Sequence, residues 1–219
     1  TILHISMYCY KSFPVRLFHV LSLKDGINSH AVFFKNNFTN NHLPVSEREL
    51  ELLAELINET RPDAITLSVL APYVVETRRA VAVIKSVTSA PIIIGGKYPT
   101  IVPHEALEFA DYACKGEAEI LMLRIHERLR QSRDLQNIRG LWFKDPRGNV
   151  VDMGQEELYQ ELDDIPYGAI GETQMHFIEE DSHSLIDPEL YDEEMLVMAG
   201  RGCVYLCSFC VNSLLIPMN

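Results

Sequence analysis

Between residues 151 and 195 there is no lysine and no arginine, although the chain carries 19 of them elsewhere. The same stretch holds 15 of the 31 acids, so the rest has 16 acids against 19 bases and the net charge of −12 belongs to this block. A one-sign block of this kind reads as a solvated linker or an exposed face, or as a strap laid against a basic surface of a longer protein. A chain this acidic has no general attraction for phosphate backbones, so no nucleic-acid partner is expected. Long apolar runs are missing too. None reaches the roughly 20 residues that a membrane-crossing helix requires, and the opening residues lack the pattern of a signal peptide, so no membrane partner is expected either. Cysteine is scarce and odd in number, five in 219, with no even framework of spacings. That excludes a secreted disulfide scaffold and points to a reducing cytoplasm. No internal repeat or low-complexity tract is visible.

What is present is a regular alternation over residues 1–130. Short apolar runs at 2–6, 31–34, 64–69, 91–94 and 112–115 read as strands. Between them lie amphipathic stretches at 14–25, 46–61 and 75–87 and a short one at 104–109, and a last helix follows over 117–130. Ser46-Glu47-Arg48-Glu49 is a capping box, in which Ser and Glu satisfy each other's free backbone donors, and Gly26 closes the first helix. Five strands alternating with helices predict an α/β fold, a doubly wound parallel five-stranded sheet with both faces covered. The flavodoxin-like strand order 2-1-3-4-5 is favoured, with a ligand site at the carboxyl ends of the strands. Gly95, Gly96 and Gly116 fall there, where a missing side chain allows close approach of a bulky ligand. Past residue 136, Leu141 to Lys144, a turn at 145–149 and then Val150-Val151 read as a β-hairpin, followed by the acidic linker. His183, in Asp181-Ser182-His183, is expected to be exposed and inert.

Near the end stands Cys203-Val204-Tyr205-Leu206-Cys207-Ser208-Phe209-Cys210, a C-x3-C-x2-C spacing in which three thiolates can hold three irons of a cluster. With Phe209 before the last cysteine, and Arg201-Gly202 after an apolar run at 195–199, this resembles the cluster loop of radical S-adenosylmethionine (radical SAM) enzymes. A zinc site would want a fourth ligand.

The segment Gly95-Gly96-Lys97-Tyr98-Pro99-Thr100, followed by Pro103-His104-Glu105, resembles the cobalamin-binding domain that precedes many radical SAM domains. So do Lys115-Gly116-Glu117-Ala118-Glu119, the hairpin and Leu162-Asp163-Asp164-Ile165-Pro166. Tyr98 stands where that family favours His, and Ala118 where it favours Gly. Together with the cysteine loop, the resemblance covers essentially the whole chain in order. It implies a B12-binding Rossmann-like domain at 1–135, a hairpin and linker at 136–194, and at 195–219 the first strand and cluster loop of a truncated radical SAM partial barrel. Cys203, Cys207 and Cys210 would hold a 4Fe-4S cluster whose open iron takes S-adenosylmethionine, with Phe209 near the adenine. Ser68, Gly95, Gly96, Lys97, Tyr98, Gly116 and Glu117 would contact cobalamin. The loop after the first strand, Met7 to Ser12, has neither Asp nor His, so no histidine is expected beneath cobalt. The implied activity is methylation of an unactivated carbon of a small-molecule substrate, through a 5′-deoxyadenosyl radical and methylcobalamin. Since the chain starts at Thr1 and stops nine residues after Cys210, it is expected to be an N-terminal fragment, silent without its missing C-terminal barrel. A sheet domain that has lost cobalamin and serves as a scaffold is the alternative. A methylthiotransferase fits less well, since only Cys9 and Cys114 remain for a second cluster.

Overall fold

The computed structural model describes residues 1–8, 12–34, 44–131, 134–166, 171, 174–191 and 201–212. The first strand, β1 (Ile2–Ser6), is followed by α1 (Phe13–Lys24) and β2 (Ser29–Phe34). Then come α2 (Glu47–Thr60), β3 (Ala64–Ser68), α3 (Val74–Val87) and β4 (Ile92–Gly95). Two short helices, α4 (Lys97–Ile101) and α5 (Pro103–Ala106), lead into β5 (Tyr112–Cys114) and α6 (Glu119–Gln131). The single short helix expected over 104–109 is thus two, displaced toward the N-terminus. Pro103 has no N–H to continue α4, but it suits the first turn of α5.

The five expected strands pair in parallel in the order β5-β4-β3-β1-β2, which is the 2-1-3-4-5 topology read from the other side. Every residue of β1 and β3 is buried, as a sheet covered on both faces requires. The side chains alternate. Leu3, Ile5, Ile65, Leu67, Ile92 and Ile94 face the layer that holds α2 and α3. His4, Thr66, Ser68 and Ile93 face the other layer, formed by α1 and α6. The capping box opens α2 as expected: the Ser46 side chain accepts from the Glu49 N–H at 3.1 Å, and the Glu49 carboxylate accepts from the Ser46 N–H at 2.7 Å.

The sheet is wider than five strands. The expected hairpin forms β6 (Leu141–Lys144) and β7 (Val150–Asp152), and β6 joins the edge of β5 antiparallel. The acidic stretch, expected to be linker, supplies two strands of its own, β8 (Met175–Glu179) and β9 (Ser182–Leu185). β8 adds to the far edge, parallel to β2, and β9 returns antiparallel, giving the order β7-β6-β5-β4-β3-β1-β2-β8-β9. The reason is visible at the contact: Met175 packs with Ala31 and Phe33, which would otherwise leave an apolar edge unpaired. His183, expected to be inert, lies in β9 with its Nε2 2.8 Å from His176 Nδ1. The expected first barrel strand at 195–199 lies outside the described residues.

Candidate functional site

One face of the sheet is built to leave room. On the α1/α6 side, β3 presents Ala64, Thr66 and Ser68, and at the ends of β4 and β5 stand Gly95, Cys114 and Gly116. The opposite face carries Ile and Leu at the intervening positions. These side chains are too short to fill the space beneath the helices, and a cavity of about 430 Å³ remains between the carboxyl ends of the strands and α1 and α6. Its walls are apolar, with Val15 and Phe18 from α1 and Leu121, Met122 and Ile125 from α6. This is the place where open α/β sheets take their ligands, outside the carboxyl ends beside the switch between β1 and β3.

Glycine is required at the rim for stated reasons. Gly96 has φ +102°, and a Cβ there would lie 2.7 Å from the Val69 carbonyl oxygen. Gly116 has φ +93°, with a Cβ 3.0 Å from the Gln155 side chain. At Gly95 a Cβ would meet only the Cys114 Cβ, at an ordinary 3.7 Å, so that residue is open toward the cavity. The Gly116 N–H donates to Thr100 Oγ1 at 3.2 Å, tying the β5 rim to α4.

Of the residues expected at the site, Ser68, Gly95, Gly96, Lys97, Gly116 and Glu117 all line this cavity. Ser68 Oγ lies 3.0 Å from the Tyr8 hydroxyl, which also reaches Ser12 at 3.3 Å, so the described part of the loop after β1 is fastened to the cavity floor. Tyr98 turns away: its hydroxyl donates to Glu105 at 3.1 Å, and burial together with that carboxylate raises its pKa. Phe209 is almost fully exposed and does not reach the cavity. Cys203 touches the rim, Cys207 is exposed and Cys210 is partly buried. Among the described residues no three metal-ligating side chains converge on one point. As placed here, the loop does not present the donor set of a cluster.

Sequence reasoning missed four residues. Thr66 lies in the cavity, a position that follows from counting by twos along β3. Glu119, at the start of α6, has a buried Oε2 with no hydrogen-bond partner among the described residues, while its Oε1 accepts from Arg201 Nη2 at 2.6 Å. Arg201 also donates to Glu117 at 2.9 Å, so the cysteine loop is latched to the cavity rim. Burial alone would lower the pKa of Arg201, but the two carboxylates outweigh it and the net direction is up. Cys114, on the cavity floor, is pushed up to about 12 by burial and then by the charge of Glu119.

A flavodoxin-ordered sheet with a glycine-rimmed, apolar cavity at its carboxyl edge is an open α/β domain with a cavity where such domains take their ligands. Residues 26–125 match the family described as B12 binding domain. An uncharacterized methyltransferase of Pyrococcus horikoshii is 24% identical over 170 residues, which is 74% of this chain and 34% of that protein. The chain therefore spans about a third of the length of this curated relative. Among solved structures, the radical S-adenosylmethionine methyltransferase TsrM from Kitasatospora setae, with cobalamin and a 4Fe-4S cluster bound, aligns with a TM-score of 0.56 at 17% identity. That match covers 76% of this chain and 30% of the other. The cobalamin-dependent S-adenosylmethionine radical enzyme OxsB, with aqua-cobalamin and S-adenosylmethionine bound, aligns with a TM-score of 0.57 at 16% identity, over 72% of this chain and 22% of its own. At these identities the likeness concerns the fold.

Proposed function

We propose that this chain is the cobalamin-holding part of a cobalamin-dependent radical SAM methyltransferase that acts on a small molecule. The observation that carries the reading is the cavity, apolar within and rimmed by glycines at both loops where a broad, flat ring would have to approach. Residues 1–135 would form the cobalamin domain, 136–194 the strap along its edges, and 195–219 the start of the radical SAM domain. The parts of a bound cobalamin fit the groups available. Its benzimidazole tail, once released from cobalt, is an apolar ring that Phe18, Leu121, Met122 and Ile125 would enclose. Gly95 would let the corrin lie against backbone, Gly96 and Gly116 would shape the rim around it, and the orphaned Glu119 Oε2 would accept from a side-chain amide or sugar hydroxyl. The loop after β1, residues 7–12, carries no histidine that could ligate a bound cobalt. Bound cobalamin supplies a transferable methyl group. Cys203, Cys207 and Cys210 are proposed as cluster ligands of the whole protein on the strength of their spacing and of the relatives, and no step is derived through a cluster here.

The test is retention of hydroxocobalamin on gel filtration, with its absorption spectrum. We expect the chain to carry cobalamin in a base-off form. Gly95→Val, which the fold accommodates but which places methyl groups in the cavity, should abolish retention while leaving the circular dichroism unchanged. Failure of the unaltered chain to retain cobalamin, or equal retention by the variant, overturns the assignment.

A further inference from the structure

A continuous hydrogen-bonded chain of side chains runs from the cavity to the surface, behind β1. Thr66 Oγ1, in the cavity lining, is 2.7 Å from His4 Nδ1. His4 Nε2 is 3.1 Å from Ser22 Oγ, and Ser22 Oγ is 2.9 Å from His126 Nε2. His126 Nδ1 is 2.7 Å from Asp25 Oδ2, whose side chain is about one third exposed at 32%. His4, Ser22 and His126 are fully buried. Four elements contribute, β1 and β3 from the sheet and α1 and α6 from the layer above it being stitched together by the same groups.

The polarity of this chain follows from its outer end. A carboxylate only accepts, so His126 carries its proton on Nδ1 and, being neutral, accepts at Nε2. Ser22 must then donate to His126 and accept from His4 Nε2–H. His4 Nδ1 is left to accept, and Thr66 donates to it. Both imidazoles are neutral. Burial first, then the neighbouring His19 and His126, holds the His4 pKa well below its ordinary value. Burial also lowers His126, outweighing the opposing pull of Asp25 and aided by Arg130. The Phe18 ring, beside His4 at 6.3 Å between ring centroids, adds no charge. The oxygen that Thr66 turns to the cavity is therefore an acceptor.

Resting on the cobalamin reading, we propose that Thr66, His4, Ser22, His126 and Asp25 form a polarised chain that holds Thr66 Oγ1 as an acceptor toward the cavity, and that its partner there is the protonated ring nitrogen of the tail base. Asp25 at the surface sets the direction of every hydrogen bond behind Thr66. A tail base that entered unprotonated would set one acceptor against another, so it would take up a proton from solvent on binding.

Two measurements test this. Imidazole ¹⁵N NMR of the ligand-free chain should find the proton of His126 on Nδ1 and that of His4 on Nε2. The opposite tautomers overturn this polarity whether or not cobalamin binds. Calorimetric titration with hydroxocobalamin, in buffers of different ionisation enthalpy, should show a proton exchanged on binding, and cobinamide, which lacks the tail base, should show none. Thr66→Val should weaken hydroxocobalamin about five-fold, the loss of one net hydrogen bond, abolish the exchange and leave cobinamide unchanged. Asp25→Asn, whose amide can donate to His126 Nδ1 and so reverse the chain, should abolish the exchange as well. Proton exchange that persists in both variants overturns the proposal, while absent cobalamin binding sinks only the cobalamin reading and leaves the tautomers to decide.

Discussion

Cys114 sits on the cavity floor with its thiol pushed to about 12, so at neutral pH it is protonated and a poor nucleophile. Cys203 and Cys207 stand exposed on the latched loop. Brief alkylation at neutral pH should therefore label Cys203 and Cys207 and spare Cys114, read by peptide mass spectrometry. Comparable labelling of Cys114 would mean that the cavity floor opens freely to solvent. At this scale the positions of the rim glycines were legible, because all three stand at or just after the end of a strand and so fall at the carboxyl edge of the sheet. Glu119 and Arg201 were not, since their meaning comes from a pairing across 82 residues that no local pattern announces. Tyr98 was misleading for a related reason. Its neighbours in sequence line the cavity, but the short helix that it belongs to turns its ring toward Glu105.

Elements differ in how local their causes are. The capping box of α2 lies within four residues, and it could be read directly. The edge pair β8 and β9 could not, because its strand character depends on β2, far away in sequence, while its composition advertises solvent. That edge carries a histidine ladder: His30 Nδ1 is 2.8 Å from His176 Nε2, and His176 Nδ1 is 2.8 Å from His183 Nε2. Burial, then His30 and His183, lowers the middle imidazole from 6.5 to about 3. Above pH 6.5 both the folded and the unfolded chain hold His176 neutral, and this group leaves stability unchanged. Below 6.5 the unfolded chain binds a proton that the folded one refuses, so stability falls as pH drops, until about pH 3. Melting temperature should decline through this window, and His176→Gln should decline less steeply. Identical pH profiles for the two would show that the ladder does not govern the edge.

Across the whole molecule, the acidic strap is fastened by charges that have left water. Arg16 of α1 donates to both oxygens of Asp187, at 2.8 and 2.7 Å, and its Nε lies 2.8 Å from Glu189, with all three side chains almost fully buried. Removing the cation alone would leave two carboxylates facing each other in the interior. Arg16→Met should cost roughly 3–5 kcal/mol in denaturant unfolding, whereas replacing all three charges by apolar groups of similar volume should recover most of it. A small loss for Arg16→Met would mean that water reaches the triad. The same strap sets an order of events during synthesis. β2 leaves the ribosome with Ala31 to Phe34 lacking an outer neighbour, and the residues that cover them, Met175 to Ile178, are made only after nearly the whole sheet. At about 5–20 residues per second, that edge waits on the order of ten seconds or more. Whatever guards the nascent chain in the interval, whether a chaperone or the speed of translation itself, governs how much of it reaches the finished fold.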